Sequence, residues 1–461
     1  QSGALGVAVL GEAARRSLGV STFVSAGNRA DVSGNDLLQY WETDEDTDVV
    51  LMYLESFGNP RKFARLARRL GRVKPIVAVK AGTGPMVPGL VHTSVELPEV
   101  SVRALFEASG VIRVDTVSDM FDVGLLLTTQ PLPVADRVAV VGNSTALGVL
   151  VTNACEGEGL TLTRLEDVGV NAGAAEFEQT LREVVDDPDV DAVVVVFVPP
   201  LQRAATAEVA IALRGIAASS PKPVLSTFLG FEGVPEALAT TDEVFPARGS
   251  VPSYPSPERA VRALARAVRY SAWRQVPASE VPQLDGIDAA RARELVQAVL
   301  AEAPEGRELT ADELGQLLGC VGITLSNEIP AEAVEVTLDV FDDHSFGALV
   351  TFGISGVATE LLGDRAYAAV PLTAADADEL ILAPHAAPLL TGYRGAEPCD
   401  LAALSELALR LSVLGDELPE VAECTLSALA APFGAYVASA AVRLAPATAR
   451  GDTGPRRLRG L

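Results

Sequence analysis

Three short runs rich in apolar and β-branched residues lie within the first eighty positions, at Val20–Val24, Val49–Leu54 and Ile76–Lys80. Two segments with helical spacing, Asp36–Trp41 and the basic amphipathic Arg61–Leu70, separate them. A strand that is apolar along its whole length has no side to turn to water, so it needs covering on both faces. Alternation with helices supplies that cover, and the arrangement predicts a parallel sheet in an α/β fold. In such sheets ligands bind at the carboxyl ends of the strands. There the sequence places Gly27-Asn28-Arg29-Ala30-Asp31, Glu55 and Lys80-Ala81-Gly82.

The pattern recurs after Pro131-Leu132-Pro133, with strands expected at Arg137–Val141, Asp191–Val198 and Val224–Phe228 and helices at Leu147–Gly157, Ala204–Ala217 and Pro257–Trp273. Ser256 is a suitable cap for the last helix, with proline at its first position. Gly142-Asn143-Ser144-Thr145-Ala146 fills the turn into the first of these helices. Asn143, Ser144 and free backbone N–H groups could hold an anion there, or the turn could serve packing alone. Beyond Pro277–Pro282 come two more helical segments, Ala289–Ala303 and Thr310–Leu318, and a strand start at Gly322–Leu325. The expected domains are 1–131, 132–282 and 283–461.

Acidic residues outnumber basic ones by 61 to 36, a net charge of −25 that repels nucleic acid and anionic membrane. No apolar run approaches the ~18 residues of a membrane helix. The four cysteines, Cys155, Cys320, Cys399 and Cys424, are widely spaced with no Cys-x-x-Cys, which predicts free thiols in a reducing cytoplasm and no metal site. The start at Gln1, without a signal-type lead, reads as internal to a longer polypeptide.

Several stretches carry a family resemblance: QSGALG from Gln1, SAGNRADVSGNDLLQYW from Ser25, YLESFGNPRKFARLARR from Tyr53, GVIRVDT from Gly110 and PSPERAVRALARAVRYSAWR from Pro255. They resemble the NDP-forming acyl-CoA synthetases, relatives of succinyl-CoA synthetase. The resemblance is greatest to actinobacterial proteins in which this region is fused to a GNAT-type lysine acetyltransferase. It implies two flavodoxin-like domains of the succinyl-CoA synthetase type, followed by a truncated ATP-grasp-like α+β domain. Ser2 and Gly3, ahead of a helix at Ala4–Arg16, would then belong to the phosphate-handling face with Gly27 and Asn28. His92, in Val91-His92-Thr93-Ser94, would be the phospho-accepting histidine and Glu55 the carboxylate that orients it. A neutral imidazole suits that role near neutral pH.

The chain also departs from the family pattern. Val91 and Ser94 flank the histidine in place of Ser and Gly, and Thr145 and Ala146 replace glycines of the second anion turn. Glu423-Cys424-Thr425-Leu426-Ser427-Ala428 stands where the family has Glu-Leu-Asp-Leu-Asn-Pro, so natural magnesium ligands are replaced. Most of the nucleotide-binding lobe that the resemblance implies, including its lysine-bearing strand, is absent after Val334. Gly392, Arg394 and Gly395 are retained as a loop in which Arg394 could bind phosphate or anchor the loop to a carboxylate, whereas His344 and His385 read as exposed and unpartnered. These departures favour a catalytically degenerate, ligand-binding regulatory region of a protein lysine acetyltransferase, with CoA or acetyl-CoA as cofactor of the parent and the use of ATP, ADP and magnesium in doubt. Expected partners are a small-molecule effector or CoA thioester, the attached acetyltransferase, protein substrates such as acyl-CoA synthetases, and further copies of the chain. The alternatives are an active ADP-forming acyl-CoA ligase working through His92, and a purely structural assembly module.

Overall fold

The computed structural model describes residues 3–26, 32–54, 60–80, 106, 109–199, 203–240, 245–277, 280–326, 330, 333–343 and 347–447. They group into two compact units, one built mainly from residues up to Pro277 and the other mainly from Ala278 onward.

The first unit opens with α1 (Gly3–Arg15) and α2 (Gly34–Thr43). A capping box starts α2: the Ser33 hydroxyl accepts from the Asp36 N–H, while the Asp36 carboxylate accepts from the Ser33 N–H at 3.0 Å. Along the chain then come β1 (Val50–Leu54), α3 (Pro60–Gly71), which belongs to this unit from Ala67 on, β2 (Ile76–Lys80), β3 (Val111–Val114) and α4 (Val117–Thr129). The three strands form a parallel sheet in the order β1-β2-β3, with Val50 opposite Ile76 and Ile76 opposite Val111. A second parallel sheet follows, in the order β5-β4-β6-β7. It is built from β4 (Arg137–Gly142), α5 (Thr145–Glu158), β5 (Thr161–Asp167), α6 (Ala174–Asp186), β6 (Ala192–Phe197), α7 (Arg203–Ala217) and β7 (Val224–Phe228), and the long α8 (Pro257–Gln275) closes the unit. Every residue of β6 and β7 is buried, as continuous apolar runs require.

Two expectations change here. The segment Val20–Val24 is not a strand; Val20, Phe23 and Val24 are each about two-fifths exposed and the segment joins no sheet. β-Branched content suits a strand but does not make one, because the backbone N–H groups still need a sheet edge to pair with. Conversely, β5 and α6 went unread. Thr161–Asp167 alternates exposed and half-buried positions on the sheet edge, so it lacks the apolar run that marks its neighbours.

The second unit contains α9 (Ala289–Glu302) and α10 (Ala311–Cys320), then β8 (Val334–Asp343), β9 (Gly347–Ile354), α11 (Val357–Leu362), β10 (Arg365–Ala369), α12 (Ala374–Leu382), α13 (Leu401–Glu417), β11 (Val421–Ala431) and β12 (Gly434–Leu444). The five strands form an antiparallel sheet, β10-β9-β8-β11-β12. One face packs on helices through Leu338, Val340, Val350, Phe352, Leu404, Leu411 and Leu426. Gly415 lets α13 approach closely, since a β-carbon there would meet a Val340 methyl at 2.7 Å. Gly322–Leu325 contributes only an isolated bridge, Leu325 to Val437. No helix among the described residues is long and apolar enough to cross a membrane. The two parallel sheets and the antiparallel one match the expected architecture.

Candidate functional site

In the first unit the best-defined candidate lies at the carboxyl ends of β4 and β6, where the strand order reverses: β4 leads outward to β5, and β6 leads the other way to β7. Gly142 ends β4 tight against β6; a β-carbon would come within 3.1 Å of the Val196 carbonyl. The Asn143 side chain spans this junction, donating to the Val198 carbonyl at 3.0 Å and accepting from the Val198 N–H at 2.8 Å. Its amide is therefore spent on holding the two strand ends together. Ser144 caps α5, its hydroxyl accepting from the Leu147 N–H at 3.5 Å. Thr145 donates to Asp167 at 2.5 Å across the turn. That bond, with the Gly169 N–H, holds the Asp167 carboxyl below its ordinary range. Thr145 and Ala146 are exposed, so the start of the fourteen-residue α5 faces solvent with backbone donors available.

Gly3 begins the thirteen-residue α1. Ser2, Gly27, Asn28, Glu55 and His92 lie outside the described residues, as do His344 and the turn at 27–31.

In the second unit the Gly392-Tyr393-Arg394-Gly395 loop runs through left-handed backbone, with φ of 99° at Gly392, 56° at Arg394 and 86° at Gly395. Arg394 is the unusual member, because a β-carbon disfavours that conformation. Its exposed guanidinium lies 5.3 Å from the Tyr393 ring centroid. His385 does have a partner, contrary to the sequence reading: its Nδ1 lies 3.1 Å from the Asp364 Oδ1. The same carboxylate accepts from the His385 and Ala386 N–H groups at 2.8 and 2.9 Å. Burial opposes ionisation of Asp364, but these donors outweigh it and lower its pKa. The pairing joins residues 21 apart, which local sequence could not announce.

The face of the antiparallel sheet turned away from the main helix-packed core holds a second group that sequence reading missed, at buried positions of β8 and β9. Asp339 on β8 pairs in register with Thr351 on β9 and Thr425 on β11. Its Oδ2 accepts from the Thr351 hydroxyl at 2.9 Å and from the Arg365 Nη1 at 2.6 Å. Among the described residues, no group of three or more His, Cys, Asp or Glu side chains could hold a metal ion. All four cysteines are buried free thiols, with burial raising Cys424 to about 12.

Comparison with known proteins fits this arrangement. Residues 1–127 match the family model of the succinyl-CoA ligase like flavodoxin domain, and residues 301–444 match that of an ATP-grasp domain. The chain is 27% identical to acetate–CoA ligase [ADP-forming] I of Archaeoglobus fulgidus, across 93% of this chain and 74% of that protein. It is 30% identical to the alpha subunit of acetate–CoA ligase [ADP-forming] I of Pyrococcus furiosus, across 59% of this chain and 63% of the subunit. Among solved structures, the dinucleotide forming acetyl-coenzyme A synthetase 1 of Ca. Korarchaeum cryptofilum in complex with phosphate and ADP superposes with a TM-score of 0.50 at 27% identity, covering 59% of this chain and 64% of that one.

These relatives correct the functional expectation. Similarity to an ADP-forming ligase along nearly the whole chain replaces the reading as a degenerate regulatory region of a lysine acetyltransferase. The doubt over ATP and ADP gives way as well, since a relative is solved with ADP and phosphate. The chain thus carries a succinyl-CoA ligase-like part followed by an ATP-grasp part, and along nearly its whole length it is similar to ADP-forming acetate–CoA ligases.

Proposed function

We propose that this chain works as an ADP-forming acyl-CoA ligase, interconverting a carboxylic acid, CoA and ATP with acyl-CoA, ADP and phosphate. The observation that carries the reading is the alignment of 93% of the chain with an ADP-forming acetate–CoA ligase. In the direction of ATP synthesis, phosphate displaces CoA from the thioester to give an acyl phosphate and free CoA. The His92 imidazole then attacks phosphorus; the bond to the acyl oxygen breaks, the carboxylate leaves, and a phosphoimidazolium remains that Glu55 stabilises. A terminal ADP oxygen takes the phosphoryl group, giving ATP and restoring His92. Ser2, Gly3, Gly27, Asn28 and the opening of α5 from Ser144 serve the CoA and phosphate half, where backbone N–H groups can hold anionic oxygens, and Asn143 sets that turn through its bonds to Val196 and Val198. Gly392, Arg394 and Gly395 serve the nucleotide half, with Arg394 offering a planar fork to phosphate.

The test supplies the chain with acetyl-CoA, ADP and phosphate and follows ATP by a luciferase readout, alongside labelled ATP to detect acid-labile label on the protein. Wild type is expected to make ATP and take up label, and His92→Ala to do neither. ATP formation that survives in His92→Ala would defeat the phosphohistidine route, and its absence from wild type would defeat the ligase reading.

A further inference from the structure

ATP-grasp chemistry ordinarily implies a divalent cation beside the phosphates, and the Asp339 face of the antiparallel sheet, buried at Asp339 and Thr351 and open at Arg365, is poorly made for one. Magnesium demands several hard oxygen ligands in near-octahedral order. Directly opposed residues on antiparallel strands present their side chains on one face. Across that face the register sets Thr351, Asp339 and Thr425 in one row, and Gly353, Thr337, Ser427 and Ser439 in the next. The next acid on that face, Glu423 opposite Phe341, pairs with Arg443 at 3.5 Å, and Gly353 apart, the two rows are hydroxyl groups around one carboxylate, Asp339. The carboxylate is already taken, because its Oδ2 bonds both the Thr351 hydroxyl and the Arg365 guanidinium. A dication brought to that oxygen would sit beside a fixed positive charge.

Arg365 is placed to act instead. Its stem crosses the sheet over Gly353, where a β-carbon would come within 2.9 Å of the Arg365 Cγ, so glycine is what allows the guanidinium to lie flat toward Asp339. The Asp339 side chain is 12% exposed and that of Arg365 38%, so the pair is anchored at the carboxylate and open at the guanidinium. One Nη1 is committed to Asp339, leaving further donors of the same planar fork for another anion. Thr337 bonds Ser355 at 2.9 Å, while Ser427 and Ser439 are exposed on the same face.

We infer that this sheet face binds the phosphates of ADP without a divalent cation, with the Arg365 guanidinium standing in for the metal and Asp339 holding it in place. This rests on the reading that the ATP-grasp part receives ADP. Arg365 touches the ligand; Asp339 is a positioning residue. Asp339 also competes with phosphate for the same guanidinium, so its neutralisation acts in the opposite direction to loss of the arginine.

Isothermal titration of ADP into the full chain, in EDTA and again in magnesium, tests the inference. Wild type is expected to bind equally in both buffers, within about twofold, and Arg365→Gln to weaken binding by about tenfold in each, the scale of a charge-assisted hydrogen bond. Asp339→Asn, which preserves shape, is expected to tighten binding by about threefold as the guanidinium is released. Thermal unfolding without ADP checks that both variants fold. Magnesium that strengthens wild-type binding tenfold or more, with Asp339→Asn abolishing the gain, would make Asp339 a metal ligand and overturn the inference while leaving the ligase reading intact. Unchanged binding by folded Arg365→Gln would overturn it too. Failure of wild type to bind ADP in either buffer would overturn both readings.

Discussion

The parallel sheet β4–β7 and the antiparallel sheet β8–β12 use the same extended backbone for different ends. In the first, Ala192–Phe197 is buried at every position because helices cover both faces. What can act chemically is therefore pushed to the strand ends, at Asn143 and the opening of α5. In the second, even-numbered positions of β8 (Val336, Leu338, Val340) face the helix-packed core, and odd-numbered ones (Thr337, Asp339) lie on the other face, which is buried over β9 and exposed at Ser427 and Ser439 of β11 and β12. That sheet can carry chemistry along its surface. A parallel sheet thus concentrates function at one edge, whereas an antiparallel sheet with a face that opens along its outer strands can spread it over an area.

The sharpest way to break this contrast is to put the same charge into both sheets. Val194→Asp would place an unpaired carboxylate at a fully buried position of β6. The expected cost is about 4 kcal/mol or more, enough to leave that unit largely unfolded. Ser427→Asp on the exposed face of β11 should change stability by less than about 0.5 kcal/mol. Urea unfolding followed by circular dichroism compares them; equal losses would mean that the outer face of the antiparallel sheet is no freer than the parallel core.

A smaller difference separates the two ion-pair networks. Asp122 is 3% exposed and holds Arg16, the residue after α1, at 2.5 Å and Arg259 of α8 at 2.7 Å, tying both to α4. Asp122→Asn removes the charge between two guanidinium groups, one of them fully enclosed, and should destabilise by about 3 kcal/mol. Asp339→Asn disturbs a pair whose arginine is open to water, so about 1 kcal/mol or less is expected. Denaturant midpoints of the two variants decide it, and a larger loss at Asp339 would reverse the assignment of which network holds its unit together.

The same contrast explains what could be read from sequence. Strands buried on both faces appear as unbroken apolar runs, so Ile76–Lys80 and Val224–Phe228 were found with their observed limits. Val20–Val24 had the composition without a sheet edge to join, and Thr161–Asp167 had an edge without the composition. The capped helices were legible within a residue or three, because the helix signals are local: Pro257 opens α8, and Thr310 stands just before α10. Side-chain partnerships were not legible. Asp339 meets Arg365 across 26 residues and Asp364 meets His385 across 21, and each meeting is set by strand register or loop path rather than by spacing. Asn143 was singled out as a binding residue, but only the fold reveals that its amide is occupied by Val198. The functional expectation erred in a related way, taking the replaced residues Thr425 and Ser427 as loss of function when the carboxylate and guanidinium that share their sheet face come from β8 and β10.

The smallest expected effect refines the comparison at an exposed site, where a network is held by local geometry. Glu313, at the third position of α10, accepts from both Arg307 guanidinium nitrogens at 2.7 Å and from the N–H and hydroxyl of Thr310 at 2.8 Å. The Arg307 bonds chiefly, and then those from Thr310, hold its pKa down at about 2. Because the folded value lies below the unfolded one of about 4.3, the charged form favours folding. Its contribution is complete above the unfolded pKa and is lost as pH falls from about 4.5 toward about 2. Glu313→Gln keeps an acceptor for the capping box but cannot titrate, so its stability should change less steeply with pH across that window and converge on wild type at the acid end. Urea midpoints measured at closely spaced pH values give the two slopes. Parallel slopes would place the acid sensitivity of this unit elsewhere, and would leave the buried network around Asp122, rather than any exposed cap, as the model for how charge stabilises this protein.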